Sequence, residues 1–211
     1  MLYSLSRIKR DVRVRLDQNS RDEELLRIAD KDTLELDGLI EGSVERSTRT
    51  AVLDAPVRYL ESGHYFGEAI YWGEGHCGWT LLPDDFLRLV VFEMSDWQRA
   101  VYDVLTPSDS AYALQSSPFA GLRGNPSRPV CAVVPRAEGL ALEFYSCRDD
   151  EAYITQAVYT PVPRIDRDGC IDFPEDLYEA VVCLTAADTA AALGESNLAT
   201  ALMEQYKTMI Q

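Results

Sequence analysis

Apolar residues recur with helical spacing at both ends of this chain and lose that spacing in between. Near the start, Ile8, Val12 and Leu16 stand four apart, which predicts a helix over residues 4–18 with one buried stripe. Asn19 to Asp22 reads as a polar break. Leu36, Ile40, Val44 and Ala51 predict a longer helix over 33–54, with Asp32 as a candidate N-cap followed by Glu35. Ala55-Pro56 stops it, because the residue before a proline avoids helical dihedrals. Near the other end, Leu177, Ala180, Val181, Leu184, Ala187 and Ala191 again keep helical spacing. Asp172 is expected to cap that helix, with Glu175 closing a capping box and Pro174 in the first turn. Gly194 is placed to end it and Ser196 to start another. Leu198, Ala201, Leu202 and Met209 supply the apolar stripe of this last helix, and the many alanines suit close packing.

From Tyr65 to Tyr159 the pattern changes to short runs of aromatic and β-branched residues, interrupted by Gly, Pro, Asn and Asp. Strands are expected at Glu68–Trp72, Gly78–Leu82, Leu87–Met94, Arg99–Leu105, Val130–Val134, Leu140–Tyr145 and Tyr153–Tyr159. Pro107 to Arg128 reads as a long loop, and Asp166-Arg167-Asp168-Gly169 as a turn ahead of the last helices. The expected class is therefore α+β. Helices from both termini, 1–60 with 172–211, pack together, and a central antiparallel β region, 61–171, forms a small sandwich or sheet.

Composition narrows the function. The chain of 211 residues carries a net charge of −15. Residues 1–60 hold 11 Lys+Arg against 12 Asp+Glu, while residues 61–211 hold 9 against 23. Gripping DNA by phosphate neutralisation needs clustered cations, so this balance argues against it. The one basic cluster is Arg7, Lys9, Arg10, Arg13 and Arg15, which fits either a solvated helix face or an acidic partner surface. Arginine outnumbers lysine 17 to 3, a bias suited to bidentate pairing with carboxylates at protein interfaces. No apolar run approaches the ~18 residues of a membrane span, and the basic start lacks the apolar core of a secretory signal. Cys77, Cys131, Cys147, Cys170 and Cys183 are scattered and odd in number, which reads as free thiols in a reducing compartment.

The search for chemistry returns little. Phosphate-binding glycine loops, a nucleophile elbow and a His-Glu-x-x-His pair are all lacking. The two histidines, His64 and His76, do not combine with Cys77 into a credible zinc set, and Cys77 reads as structural. No catalytic, cofactor-binding or metal residues are expected. Asp149, Asp150 and Glu151 read as a solvated loop. Trp72, Trp79 and Trp97, with Tyr65, Tyr71, Tyr102, Tyr145, Tyr153 and Tyr159, suit core or sheet-face packing, a ligand platform being the other use.

The segment Trp79-Thr80-Leu81-Leu82-Pro83-Asp84-Asp85-Phe86-Leu87-Arg88-Leu89, together with Phe173-Pro174-Glu175 at the entry to the last helices, resembles the head-to-tail adaptor of short-tailed phages, also called tail tubular protein A or the first neck ring. That family has N-terminal helices, a β region introduced by a Leu-Pro-Asp segment, and a C-terminal helix pair after a Pro-Glu step; the order matches over nearly the whole chain. The Pro107–Arg128 segment and the Tyr65–Trp79 stretch depart from it. The resemblance implies a non-enzymatic ring of twelve copies in the virion neck, assembled in the host cytoplasm. Such a ring docks under the portal protein, joins the next tail ring or nozzle, and lets DNA pass without specific binding. It implies no cofactor and no membrane. Interface candidates are Arg10, Arg13, Arg15, Leu198, Leu202, Tyr206 and Met209. The competing expectation is an intracellular protein- or ligand-binding module, such as a prophage-encoded one, that uses the aromatic β region.

Overall fold

A computed structural model describes residues 1–16, 30–60, 64–74, 77–117, 119 and 121–211, with side chains from Leu36 onward in the helix that begins at Asp30. The polar break at Asn19–Asp22, His76, and the side chains of Asp32 and Glu35 lie outside the described residues. In chain order the elements are β1 (Leu2–Ser4), α1 (Leu5–Arg15), α2 (Asp30–Asp54), β2 (His64–Tyr65), β3 (Tyr71–Trp72), β4 (Gly78–Leu81), β5 (Phe86–Met94), α3 (Ser110–Ala113), β6 (Cys131–Arg136), β7 (Gly139–Phe144), β8 (Ile154–Pro161), β9 (Cys170–Asp172), α4 (Tyr178–Ala192) and α5 (Ser196–Ile210). The fold is α+β, and the chain divides into a helical unit, Met1–Leu60 with Pro163–Gln211, and a β unit, Glu61–Val162.

In the helical unit α4 is the central element, with α1, α2 and α5 packed on it. Val181, Val182, Cys183, Leu184, Ala186, Ala187 and Ala190 are all 4% exposed or less, so α4 is buried around its circumference rather than along one stripe; Ala191, expected on that stripe, is exposed. Its alanines let neighbouring helices approach, while the buried Thr185 and Thr189 satisfy their hydroxyls by donating to the carbonyls of Val181 and Thr185. Ile8 and Val12 of α1, Leu16 just beyond it, and Ile40, Val44 and Ala51 of α2 are buried on the expected spacing. Gly194 adopts φ 83°, a left-handed conformation natural to glycine after a helix. The amide of the next residue, Glu195, then closes back onto the Ala190 carbonyl at 2.9 Å. On α5 the inward line is Leu198, Leu202 and Tyr206. Ala201 and Met209, assigned to the apolar stripe from sequence, are exposed.

Asp172 does not cap the C-terminal helix pair. It ends β9, which pairs antiparallel with β1, and its carboxylate accepts from the Met1 amino group at 2.7 Å. The chain enters α4 through a 3₁₀ turn, Glu175–Leu177, that has no side-chain cap. Because β9 belongs with β1, the helical unit takes up residues from 163 rather than from 172. The expected turn at 166–169 is present, with Asp166 Oδ1 accepting from the amides of Asp168 (2.9 Å) and Cys170 (2.8 Å).

The β unit holds two antiparallel sheets, β2-β8-β5 and β3-β4-β7-β6. Leu89, Phe92 and Met94 of β5 and Ala157 of β8 share one core with Leu142 and Phe144 of β7 and Cys131 of β6, which makes a small sandwich. Gly78 faces Phe144 across β4 and β7. A Cβ there would meet the Phe144 ring at 2.5 Å, so this strand residue must be glycine. The expected strand Arg99–Leu105 forms only two single bridges: Val101 pairs antiparallel with Phe92, and Leu105 parallel with Ala132. The segment crosses from the edge of one sheet to the edge of the other, so neither ladder grows along it. Pro107–Arg128 is not structureless. It contains α3 and a 3₁₀ turn, and the buried Gln115 ties it together by accepting from the Gly124 amide at 2.8 Å and donating to the Ala111 carbonyl at 2.9 Å.

Candidate functional site

Helical spacing puts Arg13 within reach of α2 and Arg15 within reach of α4, and their own unit already uses both. Arg13 forks onto Asp37 at 2.8 and 3.1 Å, Arg15 pairs with Glu179 of α4, and Lys9 pairs with Glu41 at 2.7 Å. The guanidinium of Arg7 lies 4.6 Å over the Tyr178 ring. Side-chain exposures of 21, 22 and 23% for Lys9, Arg13 and Arg15 contrast with 70% for Arg10. Of the interface candidates on α1, only Arg10 therefore presents its charge outward, and it contacts the neighbouring Asp11 at 3.0 Å. On α5, Leu202 and Tyr206 are each 4% exposed and hold the helix to its own unit; Leu198 is half-buried and Met209 exposed. The basic cluster read from sequence is thus largely matched by acidic residues of α2 and α4.

The aromatic residues of the β unit divide into two sets. Trp97 packs against Phe92 and Phe144 inside the sandwich, and Trp72 packs edge-on to Phe144. Alternation along β4 sends Trp79 to the other face of the sheet, where it stacks on Tyr71 across the strand pair at 4.2 Å and 16°. Arg136 lies over the Trp79 ring at 4.4 Å and pairs with Glu143, which also accepts from the Tyr145 hydroxyl. This cation–ring–ring stack was missed because its members come from β3, β4 and β6, and only strand register joins them.

Among the described residues, this unit includes two hollows. One, of about 650 Å³, is an open polar cleft lined by Glu93, Arg99, Tyr102 and Gln156 among others. The other, of about 370 Å³, lies beside the stack and is lined mainly by Tyr65, Phe66, Glu68, Tyr71, Leu81 and Pro83.

Cys77, Cys131 and Cys147 are poor candidates for nucleophiles. Burial pushes Cys77 up, and pushes the fully enclosed Cys131 well up. Burial and the nearby Asp96 push Cys147 up to about 12. A reactive cysteine needs the opposite shift. No group of His, Cys, Asp and Glu among the described residues is placed to hold a metal ion, and no helix among them is long and apolar enough to cross a membrane. His64 packs edge-on to Tyr159 at 5.7 Å.

No protein-family model matches the chain, and no curated protein matches it.

Proposed function

We propose that the chain is a head-to-tail adaptor of a short-tailed phage, a structural ring protein of the virion neck. One observation carries the reading. The Leu82-Pro83-Asp84 step leads into β5, and the Pro174-Glu175 step opens the α4–α5 pair, which packs with the N-terminal helices in one unit. This is the order of elements on which the resemblance to that family rests. In this reading twelve copies close into a ring, bind the portal protein on one side and the next tail ring on the other, and act by shape and assembly rather than by catalysis.

Charge supplies the remaining part of the mechanism. A channel lined with cations would hold DNA by counterion release. A chain with net charge −15 that turns carboxylates to the channel repels the passing duplex at short range, screened over a Debye length of ~8–10 Å. Imaging the purified chain mixed with portal assemblies of the phage that encodes it tests the proposal. Rings seated on portals are expected; a monomer that stays off the portals, or a ring whose channel wall is dominated by Arg and Lys, overturns the corresponding part.

A second reading is favoured by the outward Tyr71–Trp79 stack beside a hollow: an intracellular binding module that uses its aromatic β unit. A protein that remains monomeric and binds its ligand without portals would favour this alternative.

A further inference from the structure

The smaller hollow of the β unit has the makings of a cation site. Tyr65 and Tyr71, which line it, are 74% and 45% exposed. Trp79 covers one face of the Tyr71 ring, so Tyr71 offers the hollow its opposite face or its edge. Arg136 lies over the Trp79 ring, so the stack joins a cation, an indole and a phenol, and Tyr71 remains 45% exposed. Among the residues lining the hollow, Glu68 is the one with an ionisable acid or base at neutral pH, and it is exposed. Asp84 and Asp85 follow Pro83 in the chain; of these, Asp85 accepts from the Tyr159 hydroxyl at 2.9 Å. Two exposed tyrosine rings and a carboxylate attract a cation and disfavour an anion.

We propose that this hollow receives an arginine side chain presented by an extended segment of a partner protein, with its guanidinium against Tyr65 and Tyr71 and Glu68 as counter-charge. Arginine is favoured over lysine because its guanidinium is planar and weakly hydrated, and stacks on aromatic faces. This chain pairs the same groups elsewhere: Arg7 lies over Tyr178, Arg58 over Tyr59 and Arg136 over Trp79. A neutral sugar is a poorer match, since Thr80, the only hydroxyl-bearing aliphatic side chain of the lining, is 1% exposed, leaving few polar groups to orient it. The net charge of −15 adds long-range attraction for a basic partner. The inference rests on Tyr65, Glu68, Tyr71, Trp79 and Arg136 with the charge of the chain, so it stands or falls independently of the neck-ring reading.

The test titrates the full chain with capped Ala-Arg-Ala, its citrulline counterpart and its lysine counterpart, following tyrosine ring protons by NMR and tryptophan fluorescence. The arginine peptide is expected to shift Tyr65 and Tyr71, more weakly at high salt, and to bind about tenfold tighter than the neutral citrulline peptide. Glu68→Gln and Tyr65→Ala both change exposed side chains, and each should weaken binding by roughly 3- to 30-fold, the scale of one lost cation–ring or charge contact. The proposal is overturned by equal responses to the arginine and citrulline peptides, by binding that neither substitution alters, by no response at millimolar peptide, or by maltose producing the same shifts.

Discussion

Tyr206 donates its hydroxyl hydrogen to Asp54 Oδ2 at 2.7 Å, tying the second-last turn of α5 to the final residue of α2. The ring itself is buried and the carboxylate exposed, so the contact divides into an apolar part and a polar part that two substitutions separate. Tyr206→Phe removes only the donor and leaves Asp54 open to water, and should cost about 1 kcal/mol. Tyr206→Ala also empties the ring's place and should cost about 3–5 kcal/mol. Urea unfolding followed by helical circular dichroism measures both; equal costs would mean that the ring contributes little packing.

Removing all of α5 should do more. With Ser196–Gln211 deleted, α4 loses the helix that covers one side of it, including the Leu202 carbonyl that accepts from Cys183 Sγ at 3.2 Å. The exposed alanine- and valine-rich face should bind a hydrophobic dye, and the helical unit should lose its cooperative transition. The same deletion should abolish incorporation into particles if the chain is a neck ring. Normal incorporation of the truncated chain would show that α5 is dispensable for assembly.

Charge reversal on α1 distinguishes internal pairing from docking. Arg13→Glu and Arg15→Glu place like charges beside Asp37 and Glu179 and should lower stability by about 0.5–1 kcal/mol each, less at high salt. Arg10→Glu, at a more exposed site beside Asp11, should lower stability by less than either. If α1 meets an acidic partner, Arg10→Glu alone weakens assembly at low salt; unchanged assembly there assigns Arg10 to solvent.

Four tyrosines bonded to carboxylates set an alkaline limit, and burial with the Glu143 carboxylate raises Tyr145 among them. Burial and the Asp85 carboxylate push Tyr159 from 10.0 up to about 12. Burial also raises Tyr178 and Tyr206, helped by Asp11 and Asp54 respectively. A group whose folded value is raised contributes stability below its unfolded value and loses it as pH rises through the folded value. Stability should therefore fall from about pH 10 upward, with Tyr159 ionising near 12. Asp11 acts at the acid end. Burial alone would raise its carboxyl, but the Tyr178 hydroxyl, Arg10 and Arg7 hold it below 3.8, so its contribution is lost as pH falls through that lowered value. Tyrosinate absorbance against pH, with urea midpoints alongside, checks both ends; Tyr159→Phe should remove the component ionising near 12 and leave those of Tyr178 and Tyr206.

The sequence by itself determined the elements with long, regular spacing. Ile8, Val12, Ile40 and Val44 repeat often enough along α1 and α2 to report a buried face, and Gly194 marks a helix end because few other residues adopt its backbone conformation at ease. The strands β4 and β7 were likewise readable, from short apolar runs between turn residues, as was the α+β order. Tertiary structure decided what depended on distant partners. β1 and β9 are three residues each, too short for a period, and exist because Tyr3 lies opposite Ile171; this is why Asp172 answers to Met1 and not to α4. Arg99–Leu105 has strand composition yet divides its bonds between two sheets. The arginines of α1 looked available because their acidic partners stand 24 and 164 residues away in the chain. The Arg136–Trp79–Tyr71 stack, and the hollow beside it, arise only when strand register brings three separate segments onto one face, a relation that local residue patterns do not encode.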